Sequence, residues 1–282
     1  MTTVSVVIPA RDAAATLGRA IGSVTGLDRL DEVVVVDAAS TDGTAVVAER
    51  AGAEVWQEEE LLAEFGPVLG KGDAMWRAVS RLRGELVCFV DADTEGFRAH
   101  FVTGLLGPLV CERGVEFVKA FYRRPWERDG AWRGEGGGRV NHLTARPALE
   151  LFYPELAGVR QPLAGEVAAR RELLERLPFA TGYGVEIAML IDVWREVGLE
   201  GIAQVDLDEH RNRHQPLEAL NPMALTVLAT IARRLTQEGR LTGQGADDGP
   251  VERPPLASLE GVNLRVLATD PRAGALTPRR SA

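Results

Sequence analysis

Leu86-Val87-Cys88-Phe89-Val90-Asp91-Ala92-Asp93 carries an unbroken apolar run into two carboxylates one residue apart. Five consecutive apolar residues, with β-branched and aromatic types among them, predict a strand buried on both faces. Side chains two apart in extended backbone point the same way, so Asp91 and Asp93 leave the strand tip together. Two hard oxygen ligands at that tip can hold a divalent cation against a phosphate group. The triplet alone is a weak signal, because Asp is frequent in turns and caps. Its meaning depends on what the flanking chain delivers to the same place.

Upstream, residues 4–8 predict a first strand, closed by Pro9-Ala10-Arg11-Asp12. Residues 13–24 follow with helical spacing, Leu17, Ala20, Ile21 and Val24 falling on one face. Glu32-Val33-Val34-Val35-Val36 is a second strand, and Asp37 stands at its end. Ser40 or Thr41 is placed to cap a helix over 43–51. A short strand at 53–56, a helix over 71–82 and the strand at 85–90 complete the alternation. Strand and helix alternating in this way predict an α/β fold, a mostly parallel, Rossmann-like central sheet flanked by helices. Ligands bind such sheets at the carboxyl ends of the strands. Pro9, Asp37 and the Asp91–Asp93 pair all belong to those ends.

After residue 95 the pattern loosens. Residues 114–122 predict another strand, and 123–138 is polar and glycine-rich, a mobile loop suited to cover a site. Helices are expected at 140–152, 171–177, 184–197 and 217–238, with a strand at 202–206 returning to the sheet. From Gly243 the composition is that of a flexible tail, with 262–267 as its one stretch suited to docking. The expected division is a first half at 1–95 that carries the strand ends, a second, largely helical half at 96–242, and the tail at 243–282.

The chain has 282 residues, 45% hydrophobic and 26% charged, which suits a globular protein. A formal net charge of −9 argues against a general nucleic-acid binder. Two cysteines, Cys88 in a strand pattern and Cys111 in a helical one, give no disulfide framework and no zinc spacing. No signal peptide and no membrane-length apolar stretch is apparent, so a cytoplasmic protein without a membrane partner is expected.

Three segments, Val6-Val7-Ile8-Pro9-Ala10, Val34-Val35-Val36-Asp37 with Ser40-Thr41-Asp42, and Val90-Asp91-Ala92-Asp93, resemble the nucleotide-binding half of GT-A glycosyltransferases. Five others narrow the likeness: Gly70-Lys71-Gly72-Asp73-Ala74-Met75-Trp76-Arg77, Gly138-Arg139-Val140, Gln161-Pro162-Leu163-Ala164-Gly165-Glu166, Gly182-Tyr183-Gly184-Val185-Glu186-Ile187 and Glu209-His210-Arg211-Asn212-Arg213. These resemble the glucosyl-3-phosphoglycerate synthases and their mannosyl-using relatives, retaining enzymes, over residues 4–238.

The resemblance implies transfer of glucose from UDP- or GDP-glucose to 3-phosphoglycerate, with GDP-mannose as the alternative donor. It implies Mg²⁺ or Mn²⁺ held by Asp93 and by His210. The family pattern runs from His-Arg-Asn-Arg straight into Pro-Leu, whereas His214-Gln215 intervene here, so His214 stays open as the alternative ligand. Pro9, Ala10, Arg11, Asp37, Lys71, Asp91 and Ala92 would bind the nucleotide sugar. Gly138, Arg139, Asn141 and Asn212 would bind the acceptor, for whose carboxylate and phosphate a guanidinium fork is suited. Leu163 through its carbonyl, Glu186 and Tyr183 would serve the transfer, and a homodimer is expected. Lys71 stands between two glycines, which permits close backbone approach. Ala13 and Ala38 replace residues common in relatives, which bears on donor preference.

Rival classes remain. A sugar nucleotidyltransferase would need a glycine-rich loop after the first strand, where Pro9-Ala10-Arg11-Asp12-Ala13 has none. A dinucleotide oxidoreductase would need Gly-x-Gly-x-x-Gly there. A non-catalytic sugar-nucleotide binder would bind without turnover. Glu166 and Glu186 are the carboxylates for a glycosidase-like pair, and Glu186 on its apolar helix is equally a buried, paired acid.

Overall fold

The structure is a computed structural model and describes residues 2–27, 30–128, 131–133, 136–211, 215–242 and 250–259. β1 (Val4–Ala10), β2 (Glu32–Asp37), β3 (Glu54–Gln57) and β4 (Leu86–Phe89) alternate with α1 (Ala14–Val24), α2 (Thr44–Arg50) and α3 (Lys71–Val79). Every residue of β2 and β4 is buried, as a strand covered on both faces requires. α4 (His100–Cys111) leads to β5 (Phe117–Arg123), then to the short strands β6 (Trp126–Arg128) and β7 (Ala131–Arg133). α5 (Arg146–Phe152), β8 (Val167–Arg170), α6 (Arg171–Arg176), β9 (Phe179–Ala180), α7 (Val185–Val197), β10 (Ile202–Glu209), α8 (Asn221–Gln237) and β11 (Glu252–Arg253) follow.

Seven strands form the central sheet in the order β10-β5-β8-β4-β1-β2-β3. All pairings are parallel except those of β8, which runs antiparallel to both β4 and β5. The alternation of side chains along β1 divides the core. Val6 and Ile8 pack under α1 and α4 with Leu17, Ile21 and Phe101, while Val7 faces Trp76 of α3, Phe89 and Leu173 of α6. A third core, with Tyr153, Ile191 and Ile231, joins α5, α7 and α8.

The α/β expectation holds, and so does the strand of 202–206, which extends to Glu209 and pairs with β5. Several expectations are corrected. α2 begins at Thr44, after Gly43, and Asp42 Oδ1 accepts the Thr44 N–H at 3.0 Å. Ser40 and Thr41 do not cap it; they tie the first two strand-end loops together, Ser40 Oγ accepting from Asp12 N and Thr41 N donating to Asp12 Oδ1, both at 2.9 Å. The polar stretch after β5 is not all loop, because β6 and β7 pair within it. Residues 250–259, expected in the tail, dock instead: β11 pairs antiparallel with β9 and Leu256 is buried. The 262–267 stretch lies outside the described residues.

Arg253 and Glu252 explain that docking. Arg253 forks onto Asp73 of α3, Nε to Oδ1 at 2.8 Å and Nη2 to Oδ2 at 2.7 Å. Glu252 pairs with the buried Arg234 of α8, whose other side forks onto Asp192 of α7. Neighbouring residues of a strand point to opposite sides, so one short strand fastens α3 on one side and α7 with α8 on the other.

Candidate active site

The carboxyl ends of β1, β2 and β4 open into a cavity of about 670 Å³. Parallel strands of one sheet bring their ends to one edge, which is why residues far apart in sequence meet there. Pro9, Ala10 and Arg11 line it from the end of β1, Ala38 from the loop after β2, and Asp91, Ala92 and Asp93 from the loop after β4. Lys71, Gly138, Arg139, Asn141, Leu163, Tyr183 and Glu186 complete the wall on other sides. Asp37 is set back: it is buried beside the floor, and its Oδ1 has no hydrogen-bond partner. Asn212 and His214 lie outside the described residues.

Lys71 holds the centre. Its Nζ lies 2.5 Å from Asp91 Oδ1 and 2.9 Å from Glu186 Oε1. Burial would lower its pKa, but the two carboxylates outweigh burial and raise it well above the ordinary value, so it stays cationic. The glycines beside it are explained by packing. Gly70 takes φ +84° at the helix entry, and a Cβ on Gly72 would sit 2.0 Å from the Ala180 carbonyl oxygen. Asp93 is pushed above the ordinary carboxylate range by burial and by Asp91, with His210 opposing both.

β8 brings Glu166 to Asp91, a neighbour that local sequence pattern does not reveal. Phe89 of β4 pairs with Val167, which sets Glu166 beside the strand tip. His210, 1% exposed, has Nε2 at 2.9 Å from Glu166 Oε1 and at 2.9 Å from Thr94 Oγ1, and its ring stacks on Tyr122. Tyr122 Oη donates to Glu166 Oε2 at 2.8 Å. Burial alone would raise Glu166, yet His210 and Tyr122 hold it at about 2. Asp91, Glu166 and His210 offer ligand atoms within 4.8 Å of one another, and His210 Nδ1 is buried with no partner. Two carboxylates and an imidazole suit Mn²⁺ or Mg²⁺. The expected partner of His210, Asp93, is outside that group and on the cavity side.

Two arginines also line the cavity. Arg139 stacks over Trp126 at 5.5 Å and donates to the Gln215 carbonyl. Arg124, at the start of the loop after β5, also lines the cavity, with its guanidinium 5.8 Å from the Tyr122 ring. Asn141 Oδ1 accepts the Leu163 N–H at 3.4 Å, and its buried Nδ2 has no partner.

The sequence model of Glycosyl transferase family 2 matches residues 5–159. Across 98% of this chain and 91% of the relative, 42% of residues are identical to a glucosyl-3-phosphoglycerate synthase of Mycolicibacterium smegmatis. The chain belongs to the glucosyl-3-phosphoglycerate synthase family of glycosyltransferases. Mannosyl-3-phosphoglycerate synthase from Rubrobacter xylanophilus superposes with a TM-score of 0.84 at 47% identity, covering 91% of this chain and 90% of that one. Glucosyl-3-phosphoglycerate synthase from Mycobacterium tuberculosis, solved with Mn²⁺, UDP-glucose and phosphoglyceric acid, superposes with a TM-score of 0.79 at 41% identity over the same shares. This glycosyltransferase has, among its described residues, no helix long and apolar enough to cross a membrane.

Among the charged residues lining the cavity of this glycosyltransferase, sequence reasoning did not single out Arg124 and Glu58. Arg124 follows β5 directly, so its place at a strand end was the available signal; Glu58 sits among three glutamates with nothing to single it out. Burial, then the Asp73 charge, raise Glu58 from 4.5 to about 7. A carboxyl raised on folding contributes stability that is fully present below about 4.5 and is lost as pH rises through about 7. Glu58→Gln is therefore expected to match the wild-type Tm near pH 4 and exceed it at pH 8. Equal melting curves at both pH values would contradict the placement.

Proposed function

We propose that the chain transfers glucose from a nucleoside diphosphate glucose to 3-phosphoglycerate, forming glucosyl-3-phosphoglycerate. The observation that carries this reading is the charge lining one cavity: the acidic strand tip with Lys71, and the guanidinium groups of Arg124 and Arg139. A donor diphosphate suits the first and an anionic acceptor the second. The relatives named for this product, and the M. tuberculosis complex with UDP-glucose and phosphoglyceric acid, support the substrate pair.

In this reading Pro9, Ala10 and Arg11 take the base, and the unpartnered Oδ1 of Asp37 accepts an N–H from it. Lys71 neutralises the diphosphate, and Glu186 holds donor hydroxyls. Arg139 and Asn141, with Asn212, bind the acceptor. The acceptor hydroxyl forms the new bond to the anomeric carbon as the bond to the diphosphate breaks, and its proton passes to the departing diphosphate. The Leu163 carbonyl faces the electron-poor carbon, and Tyr183 shapes the pocket. Asp91, Glu166 and His210, whose ligand atoms converge, with Asp93 on the cavity side, would hold the divalent cation. When bound, that ion supplies charge neutralisation for the leaving group. The two free cysteines, Cys88 and Cys111, accord with a cytoplasmic enzyme, and we read the working unit as a homodimer.

A second reading is favoured by one observation, the likeness to the Rubrobacter mannosyl enzyme. A panel of UDP-glucose, GDP-glucose and GDP-mannose with 3-phosphoglycerate separates the two. Nucleoside diphosphate is expected only when acceptor and Mn²⁺ or Mg²⁺ are present, with a loss of about 100-fold or more in EDTA. Turnover with GDP-mannose alone would replace glucose by mannose. Pyrophosphate release from a sugar phosphate and a nucleoside triphosphate would overturn both.

A further inference from the structure

Lys119 lies within β5 and is 1% exposed. Its Nζ donates one hydrogen bond, to the Ala164 carbonyl at 2.9 Å. A lysine ammonium has three donors to satisfy, and a buried charge is costly unless paired. A methionine would fill the same volume without that cost, so packing does not account for the residue.

The bond it makes has a specific address. Residues 161–164 form a turn closed by Ala164 N donating to the Gln161 carbonyl at 3.0 Å. Gln161 Nε2 is anchored on the carbonyl of Tyr122, and Leu163 N on Asn141 Oδ1. Gly165 follows, packed so tightly on Asp91 that a Cβ there would meet its carboxylate at 2.5 Å. Leu163 lines the cavity between these anchors.

We propose that Lys119 is a positioning residue for glycosyl transfer, its Nζ fixing the Ala164 carbonyl and with it the turn that presents Leu163 and backs Asp91. This rests on the transfer reading above. Four charged groups face the ammonium: Glu186 of α7, Lys71 of α3, Glu166 before β8 and Asp91 after β4. Burial pushes the amine down to about 8, with Glu186 opposing that shift and Lys71 adding to it.

The test is Lys119→Met in the full chain, beside the wild type. Misplacement of a reacting group by about 1 Å costs about 100-fold, so kcat is expected to fall by about 10- to 100-fold. KM for the nucleotide sugar should stay within about threefold, because the contacts made equally in ground and transition states are untouched. Tm should be no lower than wild type. Unchanged kcat, or a fall in kcat explained by a lower Tm, overturns the proposal. Amide exchange across 161–165 gives a readout independent of the acceptor: faster exchange in the variant supports the proposal, and identical exchange overturns it. Wild-type protein without turnover on any donor would sink the transfer reading alone, and the exchange result would still decide the role of Lys119.

Discussion

Lys71→Met is expected to lower kcat/KM by about 10²- to 10³-fold with little change in Tm, the loss seen when one preorganised electrostatic partner is removed. The side chain lies between Asp91 and Glu186, which come from different elements and meet only through it. Without the ammonium, two carboxylates repel each other with no cation between them. The donor diphosphate then loses a fixed cation and meets a site of altered charge. Lys71→Arg should restore little, because a planar fork does not replace a compact ammonium held between two carboxylates. Steady-state kinetics with the donor varied, alongside thermal melts, check the result. Wild-type kcat/KM in Lys71→Met would remove the residue from the site.

Arg234→Ala carries the largest expected loss of stability, about 3–5 kcal/mol, the cost of leaving buried charges unpaired. The guanidinium is 1% exposed and grips Asp192 through Nε at 2.8 Å and Nη2 at 2.6 Å, with Glu252 on Nη1. Asp192 is pushed up by burial and held back by Arg234, so its charge depends on that fork. For a chain of this size the loss corresponds to a Tm drop of roughly 6–20 °C. Asp192→Leu combined with Arg234→Met should recover part of it, since apolar replacement of both partners is tolerated far better than removal of one. A double variant no more stable than Arg234→Ala would show that the pair supplies more than mutual neutralisation.

Legibility in the sequence followed the range of the interactions. Buried parallel strands announce themselves as apolar runs, so β1, β2 and β4 and the shared edge at Pro9, Asp37 and Asp91 were readable from local pattern. β8 was not: Val167-Ala168-Ala169-Arg170 is short and alanine-rich, and it is a strand only because β4 and β5 leave a gap for it. Glu166 consequently reached Asp91 and His210 by a pairing invisible in sequence. Lys71 was marked by its motif, but its partner Glu186 stands more than a hundred residues away. The loop residues Ser40 and Thr41 carry capping chemistry, yet the neighbouring Asp12 outcompetes the helix for them.

The two-residue strand Glu252–Arg253 also fixes where the chain can be shortened. Composition invites a cut after residue 242, where glycine and aspartate accumulate. Such a cut would take Arg253 from Asp73 and Glu252 from Arg234 in one stroke, leaving Asp73 with Arg77 alone and Arg234 with Asp192, and would take from Trp76 the Pro254 carbonyl that its indole N–H contacts at 2.8 Å. A minimal version of this enzyme therefore has its boundary beyond Leu256, and a protease nick just ahead of residue 250 would act on α3 and Lys71 from the opposite end of the polypeptide.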